Sequence, residues 1–341
     1  MKRYEFWHPR LFEAPFYAWL GLNCLFKRIG VRTLAKANYA LNHGEIGLGS
    51  KYESHQVFDE RFFLPTAFVS SSLSDDEKSS LIRDFASRHG YPLVLKPNLG
   101  CVGKGILKLH DDEEMTDAIA SLIGDYMVQK FTPFNTEYGV FYTRHRGRPQ
   151  ITGINRKHFP CITGNGRDSL LTLARNHYRY SDHWHSFLQY HDTRRIPEPG
   201  EQVQLSFIGS HTLGCKFTDE THRLTPELEA AVFEVFEQQP GYNFGRLDIK
   251  AENQAAFLRG EFVLIEVNGV ASLPTHMFDP KYSLWEAYRI FLRHAGILTS
   301  IAREHQHVPM DMLPLKEIIR QVGDGQNTLD RAHNQLKNKH L

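Results

Sequence analysis

The stretch that decides the fold is Gly245–Pro280, GRLDIKAENQAAFLRGEFVLIEVNGVASLPTHMFDP. It contains two apolar runs with the length of strands, separated by a polar loop. Asp248 lies in the first run, and Glu266 and Asn268 lie in the second. If the runs pair as neighbouring strands, these three side chains converge. Mg²⁺ prefers such hard oxygen ligands and usually binds them together with a substrate's phosphates, so the stretch predicts a site for magnesium and a nucleotide.

A second stretch, YPLVLKPNLGCVGKGILKL from Tyr91 to Leu109, has the pattern of a phosphate-binding loop between two strands. Lys96 ends the first strand-like run, and the loop after it contains Gly100, Gly103, Lys104 and Gly105. Glycines let backbone N–H groups approach phosphate oxygens, and the lysine adds a positive charge. The spacing is neither that of a Walker A loop nor that of a GxGxxG turn opening a helix.

The order of these elements resembles the ATP-grasp superfamily of carboxylate-amine ligases over about residues 51–280. The resemblance implies a mixed α+β or α/β fold, the ATP-grasp fold, in which two α+β lobes bind ATP between them. A small, atypical N-terminal region precedes the two lobes. The expected boundaries are an N-terminal region at 1–60, a grasp domain at 61–323 and a polar tail at 324–341. Within the grasp domain we expect an ATP-binding lobe at about 85–145 and a metal and substrate lobe at about 146–323.

The resemblance also implies roles for individual residues. The cations that face the transferred phosphate would be Lys51, Lys96 and Arg246, and the metal ligands would be Asp248, Glu266 and Asn268. The residues around adenine and ribose would be Gln129, Lys130, Phe131 and Glu137. Gln129 stands where the family often has a glutamate. The complete ATP-binding set is then Lys51, Lys96, Gly100, Gly103, Lys104, Gly105, Gln129, Lys130, Phe131 and Glu137.

Candidate substrate residues come from two further resemblances. The segment ITGINRKHFPCITGNGRDSLLTL, Ile151–Leu173, is similar in part to cyanophycin synthetase and its relatives, and its candidates are Lys157, Asn165 and Arg167. A glycine turn there, just before a helix, would aim N–H groups at an anion, and a plain β-turn is the open alternative. His276 follows Asn268 at the spacing seen in D-alanine–D-alanine ligases, which makes it a candidate on the acceptor side.

Composition restricts the partners. The chain has 341 residues, 40 basic and 39 acidic, with a net charge of +1, so it has no overall field that would attract nucleic acid. The expected partners are a small-molecule carboxylate and an amine, and a homodimer is left open. The four cysteines form no CxxC pair, which favours a reducing, cytoplasmic location.

The apolar run Leu11–Phe26 is interrupted and shorter than the roughly 20 residues that span a bilayer, so no transmembrane helix is expected. We expect a buried first helix there, and contact of residues 11–26 with a membrane surface is left open.

The sequence thus predicts a ligase that forms C–N bonds by way of an acylphosphate, converting ATP to ADP and phosphate. The resemblance implies two Mg²⁺ ions, for which Mn²⁺ can substitute, and an amino acid or small peptide as the substrate. Met1–Ser50 lacks the glycine-rich opening strand of the D-alanine–D-alanine ligases, so the substrate itself is not assigned. An ATP-binding regulatory module and a phosphotransferase with the same fold remain as alternatives.

Overall fold

The computed structural model describes residues 4–47, 49–100, 103–181, 184, 191–318 and 320. The predicted polar tail at 324–341 lies outside these residues. The described residues form two compact units, each assembled from segments far apart in the sequence. The first lies within Met1–Ala67, Lys130–Arg156 and Phe217–Gly325, and the second within Phe68–Gln129 and Lys157–Lys216.

The helices and strands give a mixed α+β architecture, which confirms the expected fold class. The α-helices are α1 Pro9–Phe26, α2 Lys51–Gln56, α3 Asp75–His89, α4 Asp112–Ile119, α5 Leu170–Asn176, α6 Pro226–Glu237, α7 Gln254–Leu258 and α8 Leu284–Glu304. The strands are β1 Thr66–Val69, β2 Leu93–Pro97, β3 Leu107–Leu109, β4 Tyr126–Lys130, β5 Thr136–His145, β6 Arg148–His158, β7 Cys161–Thr163, β8 Gln202–Gln204, β9 Lys216–Asp219, β10 Phe244–Ala251 and β11 Val263–Asn268.

These strands form three sheets. A four-stranded sheet has the order β1-β4-β2-β3, a five-stranded sheet has the order β11-β10-β5-β6-β9, and β7 pairs with β8. The two strands on either side of the glycine loop, β2 and β3, are antiparallel neighbours. The predicted strand-loop-strand unit is therefore present.

The five-stranded sheet has one apolar face and one face that carries polar side chains. Its apolar face packs against α6 and α7 in a core that includes Tyr138, Val140, Val232, Phe236, Leu247, Ile249 and Phe257. Leu247 and Ile249 of β10 point into this core. Because successive residues of a strand point to opposite faces, the residues that alternate with them point to the polar face. Arg246, Asp248 and Lys250 of β10 lie on this second face.

Helix starts follow the signals in the sequence. Ser74 and Glu77 form a capping box at the start of α3, with each side chain bonded to the other residue's backbone N–H. The Thr225 side chain caps α6, whose first residue is Pro226. These caps satisfy N–H groups that have no partner within the helix.

The first helix, α1, is only half buried, which differs from the buried helix expected. Phe12, Phe16 and Cys24 face the interior. The outward side exposes large apolar residues, among them Leu11, Tyr17, Trp19, Leu22, Leu25 and Phe26. Among the described residues, no helix has the length and apolar character needed to cross a membrane.

The packing of α6 on the sheet gives a prediction about stability. Phe236 is fully buried; its ring stacks on Tyr242 with centroids 4.6 Å apart and contacts Tyr142 in a tilted arrangement with centroids 4.2 Å apart. Phe236→Ala should lower the free energy of unfolding by about 3–5 kcal/mol, because the cavity adds to the lost burial. Phe233→Ala is the matched control on the same helix, since Phe233 is only partly buried. Urea denaturation giving equal losses for both variants would contradict this packing.

Candidate functional site

Asp248 and Glu266 lie directly opposite each other on the polar face of the five-stranded sheet. Strand β10 pairs antiparallel with β11, with Asp248 opposite Glu266 and Arg246 opposite Asn268. Side chains directly opposite in such a pair share a face, with Cβ atoms about 4.5–5.5 Å apart. The strand pairing predicted from the sequence is confirmed.

A β-bulge creates this arrangement. Ile249 faces Leu264, so a regular ladder would place Ile265 opposite Asp248, but the register shifts by one residue between Asp248 and Ile249. The shift brings Glu266 opposite Asp248 instead. A bulge re-aims the side chains that follow it, and here it puts a carboxylate where an apolar side chain would otherwise stand.

Each carboxylate is paired with a cation. Arg246 Nε donates to Asp248 Oδ1 at 2.7 Å, and its Nη2 donates to Asp248 Oδ2 at 3.1 Å. Lys51 Nζ forms an ion pair with Glu266 Oε1. Two unpaired carboxylates at this separation, both largely buried, would repel each other and lose hydration, so these pairs compensate both costs. Four of the predicted site residues are therefore brought together in the first unit.

The chemistry of this group suits a magnesium ion. Asp248, Glu266 and Asn268 offer the carboxylate and amide oxygens that Mg²⁺ takes as ligands. In the described part of the chain there is no group of three or more His, Cys, Asp or Glu side chains placed to hold a metal. The predicted set has two carboxylates and an amide, and the amide nitrogen of Asn268 lies 3.5 Å from the Arg246 carbonyl oxygen. Metal binding by these residues stays a prediction.

A third carboxylate, Glu45, approaches the same group from the N-terminal region. Its side chain accepts hydrogen bonds from the backbone N–H of Gly269, at 2.5 Å, and from Ser54 Oγ. Gly269 directly follows Asn268, and Ser54 lies on α2, the helix that carries Lys51. Glu45 thus links the end of the metal-site strand to the helix that supplies a cation.

The backbone around Glu45 is held in an unusual conformation. His43, Gly44 and Glu45 have successive φ angles of 48°, 65° and 53°. A Cβ at position 44 would overlap the Ala35 carbonyl, so only glycine fits there. Left-handed conformations cost non-glycine residues free energy and persist where the surroundings enforce them, often at functional sites. Burial raises the pKa of Glu45 to about 7, although the hydrogen bonds from Ser54 and Gly269 oppose the rise.

Residues predicted to contact adenine and ribose fall in both units. In the first, Lys250 Nζ lies 3.9 Å from Glu137 Oε2 and 5.8 Å from the centre of the Phe131 ring. Lys130 ends β4. Lys250 was missed by the sequence interpretation, although it continues the alternation of Arg246 and Asp248 along β10.

In the second unit, Lys96 and Gln129 are in contact on neighbouring strands. Lys96 is buried, and its Nζ donates to Gln129 Oε1 at 3.0 Å. The loop after β2 has positive φ at Gly103 and Gly105, 79° and 73°, which favours glycine at both positions. Gly100 and Lys104 belong to the same loop, in which residues 101 and 102 lie outside the described part.

The candidate substrate residues have different environments. Asn165 Oδ1 accepts from the N–H groups of Arg167 and Asp168, at 3.0 and 2.8 Å, as in an ordinary Asx turn. These N–H groups are therefore already bonded, which favours the plain turn over an anion site. The Arg167 side chain is exposed and lies 3.4 Å from Asp168. Lys157 is buried near the end of β6.

His276 is buried in the turn Thr275–Phe278 that follows β11. Burial lowers its pKa to about 4, and the nearby Asp219 only partly offsets this, so the ring is uncharged at neutral pH. Asp219 accepts a hydrogen bond from the Tyr282 hydroxyl. His276 Nδ1 has no hydrogen-bond partner among the described residues.

No protein-family model and no curated protein sequence matches this chain. Solved structures similar to it include a D-alanine–D-alanine ligase from Bacillus anthracis, with 14% identity, 72% of this chain and 66% of that chain covered, and a TM-score of 0.40. The same enzyme from Helicobacter pylori matches with 12% identity over 72% of this chain and 60% of that chain, with a TM-score of 0.38. A bifunctional glutathione synthetase from Pasteurella multocida matches with 14% identity over 68% of this chain and 34% of that chain, with a TM-score of 0.34.

This chain spans less than two thirds of the length of each of the three structures. At these identities and TM-scores no fold, residue role or activity is transferred to this chain from the similarity.

Glu45 gives a prediction about pH. Its pKa is raised in the folded state, so the stability it contributes is present below about pH 4.5 and is lost as the pH rises towards 7. The difference in unfolding free energy between wild type and Glu45→Gln should therefore fall by on the order of 1–2 kcal/mol across that range, a value reduced for the partial exposure of the side chain. Urea denaturation at a series of pH values measures it.

The matched control is Glu237→Gln, which removes an exposed carboxylate from the end of α6. Its difference from wild type should stay constant over the same range. A constant difference for Glu45→Gln would show that Glu45 is solvated like an ordinary surface carboxylate.

Proposed function

We propose that this chain is an ATP-dependent ligase that joins a carboxylate to an amine and releases ADP and phosphate. The observation that carries the proposal is the pair Asp248 and Glu266, opposite each other on one sheet face and each bonded to a cation. Carboxylates and cations grouped in this way suit a polyphosphate bound with a divalent ion. When bound, Mg²⁺ would offset negative charge on the phosphates.

The reaction would proceed in two transfers. A carboxylate oxygen of the first substrate attacks the γ-phosphorus, the bond to the β–γ bridging oxygen breaks, and ADP leaves with that electron pair. The amine then attacks the acyl carbon, phosphate leaves with the electrons of the C–O bond, and the amine loses a proton. Neither transfer needs a nucleophile from the protein, so the chain contributes by positioning and electrostatics.

The predicted cations have environments that suit this role. Lys51 and Arg246 are largely buried, and both are oriented by carboxylates on the polar sheet face. Lys96 is buried at the end of β2, directly before the glycine loop, and Gln129 orients its amine. Positive charges held in place cost little reorganisation when negative charge moves during phosphoryl transfer.

The substrate class we propose is an amino acid or a small peptide. The supporting observation is the buried His276, which lies in the turn Thr275–Phe278 that follows the strand carrying Glu266 and Asn268. D-alanine belongs in the first set of substrates to be tested, because two of the similar structures are D-alanine–D-alanine ligases.

The experiment that tests the ligase is ADP formation from Mg-ATP with a panel of amino acids and dipeptides, with products identified by mass spectrometry. A ligase gives one ADP for each amide product, and ADP formation depends on both substrates. ADP with a phosphorylated product and no need for an amine would indicate a phosphotransferase. ATP binding without any turnover across the panel would indicate a regulatory module.

The metal-site carboxylates provide the sharper test. Asp248→Asn and Glu266→Gln each remove a negative charge while keeping the side-chain shape. Each should lower kcat for ADP formation by about a thousandfold or more, because the charge acts on the transferring phosphate. Initial rates at saturating ATP measure this.

Glu261→Gln is the matched control, since Glu261 is exposed and forms a surface ion pair with Arg259. It should turn over at the wild-type rate. Near-normal rates in the two metal-site variants, with circular dichroism unchanged, would contradict the assignment.

A further inference from the structure

Two buried side-chain nitrogens outside the predicted metal site, Asn155 Nδ2 and His276 Nδ1, are among the buried polar atoms that make no hydrogen bond with a described residue. Asn155 on β6 is 1% exposed, and its Nδ2 makes no hydrogen bond. His276 is 7% exposed, and its Nδ1 is likewise unbonded. A buried donor without a partner costs about 1–3 kcal/mol, so such groups call for an explanation.

One hydrogen bond holds the oxygen end of the Asn155 amide. Its Oδ1 accepts a hydrogen bond from Thr275 Oγ1 at 2.6 Å, which leaves the NH₂ group as the free end. Thr275 itself is held in the turn that also carries His276. Asn155 therefore presents a donor, and the group that would satisfy it must be an acceptor.

Both groups stand above glycines on the polar face of the sheet. A Cβ at Gly153 would overlap the His276 ring, and a Cβ at Gly139 would overlap Asn155 Oδ1 and lie 3.0 Å from Arg246 Cδ. Gly153 and Asn155 are two residues apart on β6, so they share a face about 7 Å apart. Asn155, His276 and Arg246 are thus neighbours that pack against the backbone of Gly139 and Gly153.

Arg246 adds charge to this place. Its Nε and Nη2 are used by Asp248, whereas Nη1 has no hydrogen-bond partner among the described residues. A carboxylate has two oxygens that can accept from an amide NH₂ and a guanidinium at the same time. The neutral imidazole of His276 can contribute a hydrogen bond and no charge.

We propose that Asn155 Nδ2, with Arg246 and His276, binds the non-reacting carboxylate of the amine substrate, which is therefore an amino acid and not a simple amine. This rests on the ligase function proposed above. The carboxylate that reacts with ATP loses its negative charge when its oxygen bonds to the γ-phosphorus. A carboxylate beside the Arg246 guanidinium is stabilised in its charged form, with both oxygens accepting hydrogen bonds, so it is the one that stays unreacted and positions the attacking amine.

The test compares each amino acid that the enzyme accepts with its α-carboxamide. Wild type should favour the free acid, measured as the ratio of the two kcat/KM values. Asn155→Asp keeps the acceptor for Thr275 but replaces the donor with a negative charge, and Asn155→Leu removes the donor. Each should lower the ratio about tenfold to a hundredfold, with Asn155→Asp the lower of the two.

The ratio separates this role from a structural one. A variant that only loosened the fold would lower both kcat/KM values together and leave the ratio unchanged. An unchanged ratio in both Asn155 variants would overturn the proposal. A buried water molecule would then be the partner of Asn155 Nδ2. Asn176→Asp, at an exposed position in α5, is the matched control and should keep the wild-type ratio. Thr275→Val, which frees the Asn155 amide without removing it, should lower the ratio to a smaller extent.

A second readout does not depend on turnover. In the full-length chain labelled with ¹⁵N, sodium acetate should shift the Asn155 side-chain NH₂ resonance saturably, and acetamide should shift it much less. The acetate effect should also reach the His276 ring nitrogens and disappear from them in Asn155→Leu. No acetate shift in wild type would overturn the subsite. An acetate shift in a protein that makes no amide product would overturn the ligase and leave a carboxylate site.

Discussion

The central constraint is the placement of two carboxylates opposite each other on one sheet face. Asp248 and Glu266 can stand there only because a bulge in β11 shifts the register and because Arg246 and Lys51 neutralise them. The bulge fixes where the charges lie, and the ion pairs make their burial tolerable. The rest of the polar face is arranged around this group, with Asn268 beside it and Lys250 further along β10.

The N-terminal region is part of this arrangement. Its helix α2 supplies Lys51, and Glu45 binds both that helix and the residue after Asn268. Holding Glu45 requires three consecutive left-handed residues, a costly backbone that the surrounding contacts must maintain. By bonding to both α2 and Gly269, Glu45 holds Lys51 at a fixed distance from β11, the strand that carries Glu266.

Much of this could be predicted from the sequence, for physical reasons that are local. The apolar alternation of β10 and β11, the glycines after Lys96 and the capping residues of α3 and α6 each act within a few residues of themselves. The bulge could not be predicted from the sequence. The alternation of residues along β11 places Glu266 and Asn268 on one face whether or not the strand contains a bulge, so the pattern gives no sign of the extra residue. The role of Glu45 could not be predicted, because its hydrogen-bond partner Gly269 is far away in the sequence and only folding brings the two together. The one local signal was the run GEIGLGSK that contains Glu45, which is rich in glycine. Asn155 was missed beside the predicted Lys157, two positions away on the same strand, because only the structure reveals its unbonded amide.

The most direct test of the central claim is a crystal structure with Mn²⁺ and a non-hydrolysable ATP analogue, with the metal located by its anomalous signal. A peak is expected within about 2.1 Å of oxygens of Asp248, Glu266 and Asn268, next to the analogue's phosphates. A peak elsewhere, with the Arg246–Asp248 and Lys51–Glu266 pairs unchanged beneath the bound analogue, would contradict it.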